Sequence, residues 1–220
     1  MNKMKTCVFL VLIASALTAR AWNLSDNTTW LQGTLQGGLS ESVSLKLTEQ
    51  FRFLNEDGFN YYRHTQLGVN WAFADGWSAE ALYRHILARQ QGADWTAAPT
   101  WGVDLRNKIP FRGVDLKTRL RLIHTNLADA ENLTDFRPLI TIAPSKGWTG
   151  WNAKPFIADE LIYNFEDGVI YRNRLGAGLS FAPVAPLSCK LFIIQEITRL
   201  GVANDWKERY NLGAGATFAF

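Results

Sequence analysis

From Tyr210 to Phe220 the chain alternates with a period of two. Tyr210, Leu212, Ala214, Ala216, Phe218 and Phe220 fall on one side, and Asn211, Gly213, Gly215, Thr217 and Ala219 on the other. A strand sends successive side chains to opposite faces, so one face is apolar and the other small or polar. The same period recurs upstream. Val43, Leu45, Leu47, Phe51 and Phe53 oppose Ser44, Lys46, Gln50 and Arg52. Leu67, Val69, Trp71 and Phe73 oppose His64, Gln66 and Asn70. Trp101, Val103, Leu105 and Ile109 oppose Asp104, Arg106 and Lys108. Val114, Leu116, Leu120 and Leu122 oppose Asp115, Lys117, Arg119 and Arg121. Tyr171, Leu175, Ala177, Leu179 and Phe181 oppose Arg172, Arg174 and Ser180. Helical spacing explains none of these segments.

Eleven strand-like segments follow from the pattern: 29–38, 42–53, 60–73, 77–89, 100–109, 114–124, 134–143, 154–164, 170–182, 187–199 and 208–220. Most reach the roughly 9–11 residues that a tilted strand needs to cross a bilayer. Short connections (Ser40-Glu41, Asp75-Gly76, 110–113, 183–186) alternate with longer ones, and aromatic residues gather near both ends of the segments. Short turns on one side, longer loops on the other and two aromatic girdles describe a membrane barrel. The predicted fold is therefore all-β: one antiparallel transmembrane β-barrel of 10–12 strands. An even count is the rule for single-chain bacterial barrels, so twelve is favoured, with 147–152 as the place where a further strand could lie. The terminal aromatic on an alternating strand resembles the ending of bacterial outer-membrane barrels. That resemblance implies that Tyr210, Phe218 and Phe220 form a signal read by the barrel assembly machinery.

The opposite end agrees with export. Lys3 and Lys5 precede an uncharged, mostly apolar stretch over 6–19, and Ala19-Arg20-Ala21 has the form of a cleavage site. This predicts a signal peptide over 1–21 and a single barrel domain over 22–220. Of 23 basic residues, Lys3, Lys5 and Arg20 leave with the signal, so the domain carries 20 against 20 acidic ones. A balanced charge gives no argument for nucleic acid. Cys189 is then the single cysteine, which excludes an intrachain disulfide.

Glu49-Gln-Phe-Arg52, Arg119-Leu-Arg-Leu122, Phe136-Arg137, Pro155-Phe-Ile-Ala-Asp-Glu160 with Asn164, and Arg172-Asn-Arg-Leu-Gly176 occur in this order. Together they resemble the bacterial family called domain of unknown function 2490, over nearly all of residues 22–220. The resemblance implies an outer-membrane barrel with no established activity. Where it implies Glu-x-Arg after Arg119-Leu-Arg-Leu122, this chain has Ile123-His124.

The inward face is predicted to be strongly charged. Alternation turns Lys46, Arg52, Arg84, Arg106, Lys108, Lys117, Arg119, Arg121, Arg137, Arg172, Arg174 and Lys190 inward, against Glu80, Asp104, Asp115, Glu160 and Glu196. Two readings stand side by side. A cationic wall would favour anions in a narrow pore, so small anions are candidate partners. A salt-bridged interior would close the barrel, because small barrels are filled by their own side chains. Glu49 and Asp159 fall on the apolar parity, and a β-bulge or a rim position is expected for Glu49. Acidic loop residues lack the spacing of a calcium loop, so no metal or other cofactor is expected. The enzyme alternative is a lipid-modifying barrel with a rim histidine. His64-Thr65 and His124-Thr125-Asn126 place an imidazole beside a hydroxyl, while no serine-bearing motif accompanies them.

Overall fold

The computed structural model describes residues 27–127, 131–200 and 205–220; the signal-peptide region and its cleavage site lie outside them. Eleven strands follow one another: β1 (Thr28–Gly38), β2 (Val43–Leu54), β3 (Asn60–Ala74), β4 (Trp77–Ala88), β5 (Thr96–Phe111), β6 (Val114–Thr125), β7 (Leu133–Pro144), β8 (Lys154–Asn164), β9 (Val169–Val184), β10 (Leu187–Leu200) and β11 (Asp205–Ala219). Each pairs antiparallel with its sequence neighbour, and β1 pairs with β11 to close the barrel.

The count falls within the expected 10–12, though not on the favoured twelve, and the closing pair departs from an antiparallel ring. Eleven is odd, so the first and last strands run the same way and their ladder is parallel, from Thr28↔Asn211 to Gln36↔Ala219. The segment 29–38 is thus a full member of the ring. No strand lies at 147–152. That stretch folds as a turn, in which the Gly147 amide donates to Asn152 Oδ1 (3.0 Å) and the Trp148 amide to the Ala153 carbonyl (2.9 Å). Phe220 joins the seam: its amide donates to the Gln36 carbonyl (2.9 Å), and the Gly38 amide donates to its carbonyl (3.1 Å).

The connections sort by rim. The rim beside Phe220 carries 39–42, 75–76, 112–113, 145–153 and 185–186, and the opposite rim carries 55–59, 89–95, 126–127, 131–132 and 165–168. The Asp75-Gly76 turn needs its glycine twice over. Gly76 has φ 72°, and a Cβ there would meet the Lys108 carbonyl oxygen at 2.6 Å. Two-residue hairpin loops demand this positive φ, which glycine adopts without steric cost.

The outside of the ring is apolar. Leu67, Val69, Trp101, Val103, Ile140, Ile142, Ile157 and Leu175 are all exposed. Trp71, Phe73, Trp77, Phe111 and Trp148 are exposed toward the Phe220 rim, and Phe51, Phe165 and Trp206 toward the other. Glu49 and Asp159 are carboxylates within this surface. No register shift falls at Glu49, so no bulge turns it inward, and it sits in the middle of β2 rather than at a rim. Thr65 across the β2–β3 ladder donates its hydroxyl to Glu49 Oε1, and Asn173 Nδ2 donates to Asp159 Oδ1 at 2.7 Å. A cross-strand donor, not a bulge, accommodates each acid. A bulge does occur where none was expected. Ile162 pairs with Arg172 and Tyr163 with Ile170, leaving Tyr171 as the extra residue. Its hydroxyl donates to Asp135 Oδ2 (3.0 Å), so Tyr171 leaves the outer face that its parity predicts.

Candidate functional site

The inward parity of β2–β10 converges on a belt of ion pairs across the middle of the lumen. Glu80 on β4 and Asp104 on β5 are opposite one another in the ladder, and both are about 2% exposed. Arg106 bridges them, with Nη1 2.6 Å from Glu80 Oε2 and Nη2 2.6 Å from Asp104 Oδ2. Arg121 grips Asp104 through two bonds, Nε to Oδ1 at 2.6 Å and Nη2 to Oδ2 at 2.8 Å. Lys46 reaches Glu80 from β2 at 2.8 Å, over Gly68, where a Cβ would meet Glu80 Oε1 at 2.8 Å.

The second half of the belt centres on Glu160. Arg119 from β6, Arg137 from β7 (3.0 Å) and Arg174 from β9 (3.1 Å) all donate to its carboxylate. Arg174 Nε also donates to Glu196 Oε2 at 2.6 Å, and Arg172 lies 3.8 Å from the same oxygen. Arg52 and Arg84 have no ion pair among the described residues. The guanidinium of Arg52 is stacked between Trp30 (3.9 Å) and Tyr62 (4.2 Å) and bonds Gln50 Oε1. Arg84 donates twice to Gln66 Oε1, at 3.1 and 2.7 Å. The structure therefore brings these residues into two clusters around one hollow: Arg84, Arg106 and Arg121 with Glu80 and Asp104, and Arg52, Arg119, Arg172 and Arg174 with Glu160, Glu196 and Trp30. Lys117 lies nearer the Phe220 rim and outside both clusters.

The ion pairing has a physical reason. A buried charge without a partner is strongly destabilising, so each inward carboxylate draws in every cation within reach. All five anions predicted to face inward are in ion pairs, Asp115 with Lys108 at 3.1 Å. Asp135 is a sixth inward acid that the parity of β7 marks and the charge reading left out; it is 8% exposed.

Two adjoining hollows lie among and below the belt residues, the polar one bordered by Glu80, Arg106, Arg121 and Arg137 themselves. One, about 390 Å³, is polar and runs past Thr34, Lys46, Thr48 and Gln66 up to His64. The other, about 360 Å³, is apolar, lined by Leu139, Ala143, Phe156, Ala158, Phe192 and Ile194. They meet at Trp30, Arg119, Glu160, Arg174 and Lys190. Gly176 on β9 lines the apolar hollow, while Gly178, Gly213 and Gly215 on β9 and β11 leave room for Phe156, Phe192 and Lys190 to lie over them. A Cβ on Gly213 would sit 2.0 Å from the Phe192 ring, which lies flat against it. A signal for this was present: Leu175-Gly-Ala-Gly178 and Leu212-Gly-Ala-Gly215 are the same tetrapeptide on the same parity.

The histidines separate. His64 is buried in the lumen with Nδ1 3.0 Å from the Tyr62 hydroxyl, while Thr65 faces outward. His124 faces outward with Nδ1 3.0 Å from Thr134 Oγ1, and Thr125 faces inward to Thr100. Glu166, in the loop after β8, accepts the Thr134 amide at 2.8 Å, which holds its carboxyl below the usual glutamate range. Tyr210 and Phe218 lie on the outward parity of β11, and the Phe218 and Phe220 rings are tilted toward one another at 6.2 Å.

The family model described as Protein of unknown function (DUF2490) matches residues 27–206. No curated protein matches the chain.

Proposed function

The chain belongs to this family of unknown function, and from that premise we infer that it is an integral barrel of a bacterial outer membrane, closed to free solute flow by its ion-pair belt. The exposed apolar exterior supports a lipid setting. Soluble monomers rarely expose contiguous apolar patches beyond about 300–600 Å², whereas here every strand from β2 to β9 carries at least one large exposed apolar side chain. The aromatic residues toward both rims and the Phe220 ending point the same way. In this setting the Phe220 rim faces the periplasm, and Tyr210, Phe218 and Phe220 are read by the assembly machinery.

The observation that carries closure is the crowding at Glu160, where arginines from β6, β7 and β9 meet. Arg174 then reaches over to the Trp30 ring of β1, 5.3 Å from its centroid. Arginines neutralised in this way do not form an anion-selective ring; they bar the lumen. Planar-bilayer recording tests the reading. The wild-type protein is expected to give no conductance steps, and Glu160→Gln with Glu196→Gln is expected to give anion-preferring steps as the arginines repel one another. Regular steps from the wild type would overturn closure and restore the narrow pore.

A second reading has one observation behind it. His124, Thr134 and Glu166 cluster at the rim opposite Phe220, where a lipid-modifying site would stand. The geometry favours it less, because Glu166 bonds the Thr134 amide instead of orienting the imidazole. Lipid turnover by purified protein that disappears in His124→Ala would raise it above the closed barrel.

A further inference from the structure

The apolar hollow departs from what a barrel lumen ordinarily contains. Lumens of outer-membrane barrels are polar, and those of small barrels are packed with side chains. Here Leu139, Phe156, Phe192 and Ile194 face a space of about 360 Å³, within the range of small-ligand sites. The wall behind that space is cut back to Gly176, Ala158 and Ala143. Lys117 and Lys190 stand at its margin. Neither lies within ion-pair distance of a carboxylate among the described residues, and the Lys190 ammonium rests 5.2 Å from the Phe192 ring. Arg119 and Arg174 form the ceiling and are held by Glu160.

We propose that this hollow binds a single acyl chain ending in an anionic group. The chain lies against Leu139, Phe156 and Ile194 below the belt, and the anion is met by Lys117 and Lys190. Apolar burial drives the tail inward, and two cations without ionic partners select the charged head over a neutral one. The inference rests on the closed-barrel reading, because the belt is what stops the chain from passing through. A carboxylate from a fatty acid and a phosphate monoester from a cleaved lipid share this chemistry.

Trp30 is a built-in probe, since it lines the hollow and is only 6% exposed. The full-length protein in lipid nanodiscs would be titrated with 12-bromododecanoate. The difference in emission quenching between wild type and Trp30→Phe isolates the ring in the lumen from the outer tryptophans. Saturable quenching of Trp30 is expected. Competition by octanoate, decanoate and dodecanoate should strengthen about fourfold per methylene. Dodecanol should compete at least about tenfold more weakly than dodecanoate, and the Lys117→Gln/Lys190→Gln double variant should lose about tenfold in affinity. Dodecyl phosphate competing better than dodecanoate would assign the head to a phospholipid product, and the reverse order would assign it to a fatty acid.

Gly176→Val fills the hollow and should abolish the quenching. A Cβ there makes only ordinary contact, 3.5 Å from Ile194 Cγ1, and Ala158→Phe serves as the second blocking variant. No saturable quenching, a flat chain-length series, equal binding of the alcohol, displacement by inorganic phosphate alone, or full binding by both blocked variants would each overturn the proposal. Conductance measured on the same preparation keeps the two readings apart. A conducting barrel that still takes the chain defeats closure alone, and a silent barrel that does not take it defeats the ligand alone.

Discussion

Along β2–β6 the inward positions carry long polar and charged side chains that reach one another, such as Lys46, Gln66, Glu80, Arg106 and Arg121. On β7–β11, below Glu160, the same parity carries Ala143, Ala158, Gly176, Phe192 and Gly213. Both walls obey one alternation and face one lumen, yet one borders a polar hollow spanned by ion pairs and the other an apolar hollow. Period two therefore decides only which side chains enter the barrel. Their bulk and charge decide whether the space is closed. The charged wall holds itself together through bonds between neighbouring strands, and the apolar wall depends on rings lying flat over glycine.

The largest expected effect is on the charged wall. Glu160→Gln leaves Arg119, Arg137 and Arg174 around a neutral amide and is expected to cost about 3–5 kcal/mol, as loss of one partner of a buried pair does. Urea unfolding of the barrel in lipid vesicles measures it. A cost below about 1 kcal/mol, the range of solvent-screened pairs, would mean that water already screens the belt and that the two walls differ less than their contents suggest. Next comes the apolar wall. Gly213→Val drives a branched side chain into the Phe192 ring, and overpacking of this kind costs about 1–3 kcal/mol. The companion change Phe192→Ala should relieve most of it in the same assay, and an additive double variant would show that ring and glycine are not one unit. The smallest effect lies outside both walls. The Glu166 carboxyl is held low by the Thr134 amide, so its contribution is complete above the usual glutamate range and is lost as pH falls through the lowered value. The protection factor of the Thr134 amide against hydrogen exchange, corrected for the intrinsic pH dependence, should fall on acidification through that window while those of β5 and β6 amides do not change.

Much of the ring was legible because an apolar exterior and a polar lumen impose a strict two-face pattern. The segments read at 77–89, 114–124 and 154–164 correspond to Trp77–Ala88, Val114–Thr125 and Lys154–Asn164. What escaped is non-local. Nothing in the alternation of 29–38 says which strand lies on its free side, and the rule of even counts pointed away from a parallel seam. Bulges escaped for a related reason. The extra residue at Tyr171 is demanded by a partner, Asp135, that lies more than thirty positions away. The charged half of the site was readable from parity residue by residue. Its pairing was not, because Arg119 meets Glu160 across an intervening strand. The hollow was missed because glycine on an inward position reads as a weak strand residue, when here it is the absence of wall.

Asn27 immediately precedes β1 and Phe220 ends the chain, and the parallel ladder sets them at opposite mouths of the cylinder. Across any membrane that the barrel spans, Asn27 and Phe220 then face different compartments. A thiol-reactive label too large to cross the bilayer would reach a cysteine placed at the exposed position 56, in the turn beside Asn27, from one side only, and one placed at 220 from the other only.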